Sequence, residues 1–274
     1  MNYRHIYHAG NFADIVKHIT LISILNNLLK KEKPFAVLDA FAGIGLYDLT
    51  SEQANKTIES NEGIEKLLRF AEIHSINAPL LNQYIGLVKD TGENLYPGSP
   101  IIISKLLRPA DRLISCELHP ADYQTLKYLF YKRQNIATHH IDAYNAIKAF
   151  LPFKENRGLI FLDPPFEARD EFEKLLKAMD IISKRAANIC TAIWYPIKDE
   201  KQVKSFYQKA VQLNFPEQLV IEFGLQGDGK AMAKCGVLIA NPPFIKNELE
   251  EALEALSKKV FVENGASYNC IISK

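Results

Sequence analysis

Apolar positions along this chain follow two rhythms. Short, nearly unbroken apolar runs recur between turn residues, and the segments between them repeat apolar positions every three to four residues. The runs predict strands over Phe35–Asp39, Arg112–Glu117, Ala137–Asp142, Gly158–Asp163, Asn188–Tyr195, Gln218–Phe223, Gly236–Asn241 and Tyr268–Ile272. The second rhythm predicts helices over Ala13–Leu29, Pro120–Tyr131, Tyr144–Phe150, Ala168–Lys184, Glu200–Gln212 and Glu248–Val260. Fully apolar strands alternating with helices imply a parallel sheet covered on both faces. The stretch GLQGDGKAMAK after Phe223 has no helical rhythm, so the strands it joins should run antiparallel.

One connection is out of proportion. About seventy residues separate Asp39 from Arg112, whereas a parallel crossover needs only about a dozen. Much of the excess, near 49–96, has helical spacing, as in IEKLLRFAEIHSI. YPGSP at 96–100 reads as a turn in which Ser99 caps a helix beginning at Pro100. The expected architecture is α/β. A Rossmann-like sheet, mostly parallel with an antiparallel edge, forms a single domain over 1–274 and carries an inserted helical subdomain at roughly 49–96.

Composition adds limits. The chain has 274 residues, 47% of them hydrophobic, and a formal charge of +1. That balance excludes a protein that coats nucleic acid without specificity, but leaves room for one basic face. No apolar run approaches the roughly 20 residues of a membrane span, and the opening residues are too polar for a signal peptide. The expectation is a cytoplasmic protein with no membrane. Cys116, Cys190, Cys235 and Cys270 all fall in predicted strands, as small apolar residues in a reducing compartment would.

In an open parallel sheet, ligands bind beyond the carboxyl ends of the strands. The first strand ends in LDAFAGIGLY, where Gly43 and Gly45 permit either a close backbone approach to a ligand or simply a tight turn. The second ends in Glu117 and the third in Asp142, and each acid alone could be a helix cap. Taken together they describe a nucleoside site. One acid would accept the two ribose hydroxyls, and the next would accept the adenine amino group. The dinucleotide fingerprint and the P-loop lysine are both absent, which favours S-adenosylmethionine, a nucleoside without phosphate. The fourth strand ends in Asp163-Pro164-Pro165-Phe166. The Asp163 carboxylate and the Pro164 carbonyl can each accept an N–H of an exocyclic amine, which frees its delocalised lone pair. Paired prolines hold the backbone rigid, and Phe166 offers a ring for a base to stack on. A second motif, Asn241-Pro242-Pro243-Phe244, ends a strand expected to run the other way, so Asn241 should lie at the opposite edge of the sheet.

The opening YRHIYHAGNFADIVKHI is dense in functional side chains. Asn11 reads as a helix cap with Asp14 in the reciprocal position, and Ile15, Ile19 and Ile22 as the apolar stripe. Three histidines without a completing ligand argue against a metal. The segment from 3 to 18 reads as a lid over cofactor and base.

The opening block, LDAFAGIG, YPGSP, ELHP, GLIFLDPPFE and WYP, in that order, resemble the RlmJ family of bacterial large-subunit (23S) ribosomal RNA adenine-N6 methyltransferases. The resemblance covers essentially the whole chain. It implies a class I methyltransferase core with an inserted helical subdomain, and S-adenosylmethionine as cofactor. It implies that His18, Phe41, Gly43, Ser99, Glu117, Asp142, Ala143 and Asp163 line the cofactor site, with Phe41 where the family has a histidine. It implies Asp163 as the catalytic residue, with Pro164 and Phe166 beside it, and Phe166 stands where tyrosine is usual. Tyr3, His5, Lys17 and Phe166 would lie near the substrate adenine, in single-stranded or looped ribosomal RNA, with no obligate protein partner. The rival readings are a DNA adenine methyltransferase, for which the insertion lacks a basic stripe, and a protein glutamine methyltransferase.

Overall fold

The computed structural model describes residues 5–57, 59–226 and 233–273. Strands β1 (Ala36–Asp39), β2 (Leu46–Asp48), β3 (Leu95–Pro97), β4 (Arg112–Glu117), β5 (Ile136–His140), β6 (Gly158–Leu162), β7 (Cys190–Pro196), β8 (Gln218–Gly224), β9 (Lys234–Ala240) and β10 (Ser267–Ser273) alternate with helices. The helices are α1 (Phe12–Leu29), α2 (Glu52–Asn55), α3 (Glu59–Glu62), α4 (Ile64–Ile73), α5 (Pro79–Lys89), α6 (Ser99–Leu106), α7 (Pro120–Leu129), α8 (Ala143–Phe150), α9 (Glu171–Arg185), α10 (Glu200–Ala210) and α11 (Lys246–Ala255). Among the described residues the main sheet has eight strands in the order β10-β8-β9-β7-β6-β1-β4-β5. The run from β7 to β5 is parallel, while β9 pairs antiparallel with both β7 and β8, and β10 pairs antiparallel with β8. The fold is thus the Rossmann-like, mostly parallel sheet with an antiparallel edge. The order reverses between β1 and β6, so the crevice between their carboxyl ends is where a ligand belongs.

Two apolar layers hold the helices to the sheet. One gathers α1, α5, α6, α7 and α11, and the other α8, α9 and α10. The first layer is built around α1. Every residue of α1 from Phe12 to Leu25 is buried, polar ones included, so it has no simple apolar stripe. Its 18 residues are apolar enough to pass for a membrane span by length and composition. Their burial against sheet and helices accounts for that character, because a helix apolar all round belongs in a core. Fully burying one such Ile or Leu contributes about 1.5–3 kcal/mol. This placement also corrects the lid reading of residues 3 to 18: from Phe12 onward the segment is core.

The long connection contains what the apolar rhythm could not reveal. β2 and β3 form a separate two-stranded antiparallel ribbon, and α2 to α5 lie between them. Three-residue strands are too short to display alternation. Within this segment Leu80, Leu81 and Tyr84 are buried in the same core as α1. A second joint is closer to the crevice. The Ile64 N–H donates to the Gly10 carbonyl at 2.7 Å, and Gly63 lies so close that an added Cβ would sit 2.1 Å from that oxygen.

Gly63→Ala should therefore push α4 away from residues 8–11 and cost about 1–3 kcal/mol of stability, as overpacking does. Urea unfolding checks this, and an unchanged midpoint would show that the joint is plastic.

Candidate active site

Four parallel strands end in one place. Glu117 closes β4, Asp39 closes β1, Asp163 follows β6, and Trp194 lies near the end of β7. Glu117, Asp163 and Trp194, with the start of α1, line a cavity of about 620 Å³, and Asp39 is buried behind Ser99. Pro164, Pro165 and Phe166 line it beside Asp163, and His5, Lys17, His18, Phe41, Gly43 and Ser99 line it as well.

At its centre is a buried ion cluster. Lys17 Nζ is 2.7 Å from Asp163 Oδ2 and 2.7 Å from Asp14 Oδ1. It also stands 6.0 Å from the centroid of the Trp194 ring. Burial alone would strip the Lys17 proton, but the two carboxylates outweigh it and hold the ammonium well above the ordinary lysine value. Burial likewise favours a neutral Asp14, yet His5 and Lys17 hold its carboxyl well below the ordinary range. Asp14 Oδ2 takes the Gly10 N–H at 2.8 Å and lies 3.1 Å from His5 Nε2. Asn11 Oδ1 accepts the Asp14 N–H at 3.0 Å, the expected cap. The reciprocal bond goes to Gly10 rather than to Asn11. Asp14 is thus an anchor for His5 and Lys17, a role hidden in the sequence because the capping pattern already accounted for it.

The cofactor side contains strained and incompletely paired groups. Asp39 and His18 are buried, and neither Asp39 Oδ1 nor His18 Nε2 has a hydrogen-bond partner among the described residues. The Ser99 hydroxyl donates to Asp39 Oδ2 at 2.7 Å. The cap of α6 is Gly98, so Ser99 serves the site and not the helix end as expected. His18 Nδ1 is 3.0 Å from the Tyr96 hydroxyl, and burial pulls the imidazole down to about 3, leaving it neutral. Glu117 accepts N–H bonds from Gly43 (2.9 Å) and His119 (2.7 Å), while burial raises its carboxyl against those bonds. Phe41 packs edge-on to Tyr144 at 5.9 Å. Gly43 adopts φ +60°, and a Cβ there would meet the Tyr47 hydroxyl at 2.4 Å. The missing side chain makes room for Tyr47, and the same residue lines the cavity.

Some predicted residues are placed differently. Asp142 caps α8 by accepting the Asn145 N–H at 3.0 Å, and neither it nor Ala143 lines the cavity. His119 and Asp122, one strand nearer, do. Tyr3 lies outside the described residues. Phe166 sits at φ +50°, a costly backbone for a bulky side chain. Its ring packs edge-on against Phe172 (5.0 Å) and Trp194 (6.2 Å). Asn241 is at the far edge, donating from Nδ2 to the Asn188 carbonyl at 2.8 Å, and Phe244 beside it is 99% exposed. Of the opening histidines, His5 pairs with Asp14 and His8 Nδ1 is 2.9 Å from Glu59. Among the described residues no cluster of three ligating side chains could hold a metal. Glu59 and Lys198 also line the cavity, and neither belongs to a motif that would have marked it.

A Rossmann-like sheet with acids at the ends of β1 and β4 and Asp-Pro-Pro-Phe after β6 defines a class I methyltransferase. More narrowly, the chain belongs to the RlmJ family: the sequence model described as RsmJ, ribosomal RNA large subunit methyltransferase D, RlmJ, matches residues 32–270. The chain is 36% identical over 276 residues to the ribosomal RNA large subunit methyltransferase J of Haemophilus influenzae, covering 98% of this chain and 97% of that one. It is 34% identical over 267 residues to the protein of the same name from Escherichia coli K12, covering 95% and 94%. The crystal structure of protein LPL1258 from Legionella pneumophila superposes with a TM-score of 0.88 at 33% identity, covering 97% of this chain and 98% of that one. The cofactor of the family's reaction is S-adenosylmethionine. The cavity suits such a group. The buried His18 Nε2 on its wall has no partner among the described residues, and Asp14, Lys17 and Asp163 carry a net negative charge that complements a sulfonium.

Asp39 supplies a test of that balance. Burial, with Asp163 nearby, pushes its carboxyl from 3.8 up to about 7. A raised carboxyl gives its full stabilisation below the ordinary value and loses it as pH rises through about 7. Asp39→Asn removes this loss, so its stability relative to the parent should rise by roughly 2–3 kcal/mol between pH 5 and pH 8. Urea unfolding of the unliganded proteins measures it, and a constant difference would show that Asp39 does not titrate in this window.

Proposed function

We propose that this protein uses S-adenosylmethionine to methylate the N6 amine of an adenine in large-subunit (23S) ribosomal RNA. The observation that carries the proposal is the Asp163-Pro164-Pro165-Phe166 turn, which lines the same cavity as Glu117 and Ser99, with Asp163 pinned by a buried ammonium. His18, Phe41, Gly43, Ser99 and Glu117 would hold the cofactor, whose adenine end would point toward Asp142 and Ala143. When bound, the cofactor supplies an electrophilic methyl group on sulfur. The chain's own residues prepare the nucleophile. The Asp163 carboxylate and Pro164 carbonyl accept the two N–H bonds of the amine and draw its lone pair out of the ring. Lys17 fixes the orientation of Asp163 from behind, through Oδ2. Because its neighbours keep it protonated, Lys17 serves as a positioning cation and not as the base. Phe166 presents its ring to the base, with Phe172 and Trp194 bracing it from the side. Tyr3 and His5 would close against the same adenine. Most of the acceleration comes from alignment of amine and methyl group. The names of the two bacterial relatives support ribosomal RNA as substrate. The amine chemistry of the motif supports a delocalised exocyclic nitrogen as the acceptor, and the resemblance to the family makes it that of adenine.

The deciding experiment is transfer of labelled methyl groups to unmodified large-subunit ribosomal RNA, followed by digestion to nucleosides. N6-methyladenosine should carry the label. Equal transfer to duplex DNA, or label in protein glutamine, would replace this reading with one of its rivals. Asp163→Ala should lower turnover by about 10²–10⁴ while cofactor affinity stays within a few-fold. Asn241→Ala should retain nearly normal turnover, and an inactive variant there would mean that the wrong proline turn has been assigned.

Glu117→Ala should instead weaken binding of the demethylated cofactor product. Hydrogen bonds to a charged acceptor contribute about 1.5–3 kcal/mol each before water compensates. Calorimetry reads this directly, and unchanged affinity would reduce Glu117 to a clamp on Gly43 and His119.

A further inference from the structure

A chain of almost balanced charge that acts on a polyanion must concentrate its cations somewhere. One surface does so away from the cavity. Between Asp122 and Asp142 the sequence contains no acidic residue, while Lys127, Lys132 and Arg133 are all exposed. Interleaved with them are tyrosines. Tyr128 and Tyr131 are 85% and 77% exposed, although tyrosine normally buries much of its ring. Residues 124, 127 and 128 share the outer side of α7, and Tyr131, Lys132 and Arg133 follow exposed in the turn directly after it. Tyr123 extends it inward. Its ring stacks on His140 at 5.0 Å and 16°, and Lys127 Nζ stands 5.8 Å from its centroid. The one acid of α7, Asp122, is buried at the cavity end and does not offset the outer cations. Arg133 donates to the Ser104 carbonyl at 3.2 Å, which steadies its guanidinium without cancelling its charge.

We infer that the outer face of α7 and the turn that follows it, through Arg133, are a docking surface for single-stranded RNA flanking the target nucleotide. Its tyrosines stack on bases, and Lys127, Lys132 and Arg133 neutralise phosphates. The inference rests on the reading of the substrate as RNA. The chemistry favours a nucleic acid over a protein or a bilayer. Flat rings alternate with cations, and stacking of bases on aromatics together with ion pairing to phosphates is the usual mode of single-strand binding. Position favours it as well. α7 starts at His119 and Asp122 on the cavity wall and runs about 15 Å away, so a strand leaving the cavity would pass along it.

The test compares the parent with Tyr128→Ala/Tyr131→Ala and Lys127→Ala/Lys132→Ala. Filter binding and methyl transfer use an unmodified large-subunit ribosomal RNA transcript. All four side chains are exposed, so urea midpoints should match the parent and separate misfolding from lost binding. Each double variant should raise Kd and KM tenfold or more, with kcat at saturating RNA within about twofold of the parent. The lysine variant should also flatten the slope of log Kd against log salt by about 1.4, the release from two single-strand phosphate contacts. Kd within twofold of the parent in both variants would overturn the surface while leaving the methylation reading intact. Loss confined to large-subunit particles, with normal binding of naked transcript, would assign the face to a ribosomal protein and likewise overturn it. A parent that neither binds nor methylates the transcript would sink the substrate reading and the surface together.

Discussion

The ammonium of Lys17, buried between Asp14 and Asp163, is the interaction on which the site depends. Desolvating a lone ammonium costs several kcal/mol, so it is tolerable here only because two carboxylates stand 2.7 Å away on either side. Each depends on it in return. Asp163 follows β6, Asp14 lies in the first turn of α1, and Lys17 and Asp163 are 146 positions apart in the chain. One side chain therefore fixes how far the start of α1 lies from the strand end that faces the substrate. A small tilt of α1 would move Asp163 relative to Pro164 and misdirect both acceptors at once. Such a cluster fixes geometry more than it adds stability, since well-packed apolar residues could fill the same space without charge.

The order of the main strands was legible because each is buried over its whole length, and burial writes an unbroken apolar run. The relative directions of β8 and β9 were legible from the helix-free loop between them, and this separated Asp163 from Asn241 despite their matching turns. What escaped notice shares one cause: a local explanation was already sufficient. Asp14 fitted a cap, so its ties to His5 and Lys17 stayed hidden. Ser99 sat before a proline and looked like a cap, yet it donates to Asp39, sixty positions earlier. Gly43 reads as a ligand-facing glycine, and its missing side chain also makes room for Tyr47. Asp142 does cap α8, the local role its position suggested. Trp194 and Lys198 reach the cavity only because β7 lies beside β6, and no spacing along the chain encodes that neighbour.

Buried polar groups are unevenly shared between the two layers. On the α1 side His18, Tyr96 and Tyr84 form a chain of rings linked by 3.0 Å contacts. Burial holds His18 neutral and both phenols protonated. His18 is thus an uncharged part of the cavity wall, backed by two phenols, beside the charged strip formed by Asp14, Lys17 and Asp163.

The position of α1 in the chain also bears on synthesis. The helix leaves the ribosome ahead of the sheet, yet its distant partners come much later: Asp163 after β6, and Glu248, which accepts a hydrogen bond from the Ser23 hydroxyl across 225 positions. At about 5–20 residues per second, the nascent protein spends some ten seconds or more with its most apolar helix outside any core and Lys17 paired with Asp14 alone. The centre of the finished domain is therefore the last part of it to become secure. During that interval the young chain depends on sheltering by chaperones or by the ribosome surface more than its modest size would suggest.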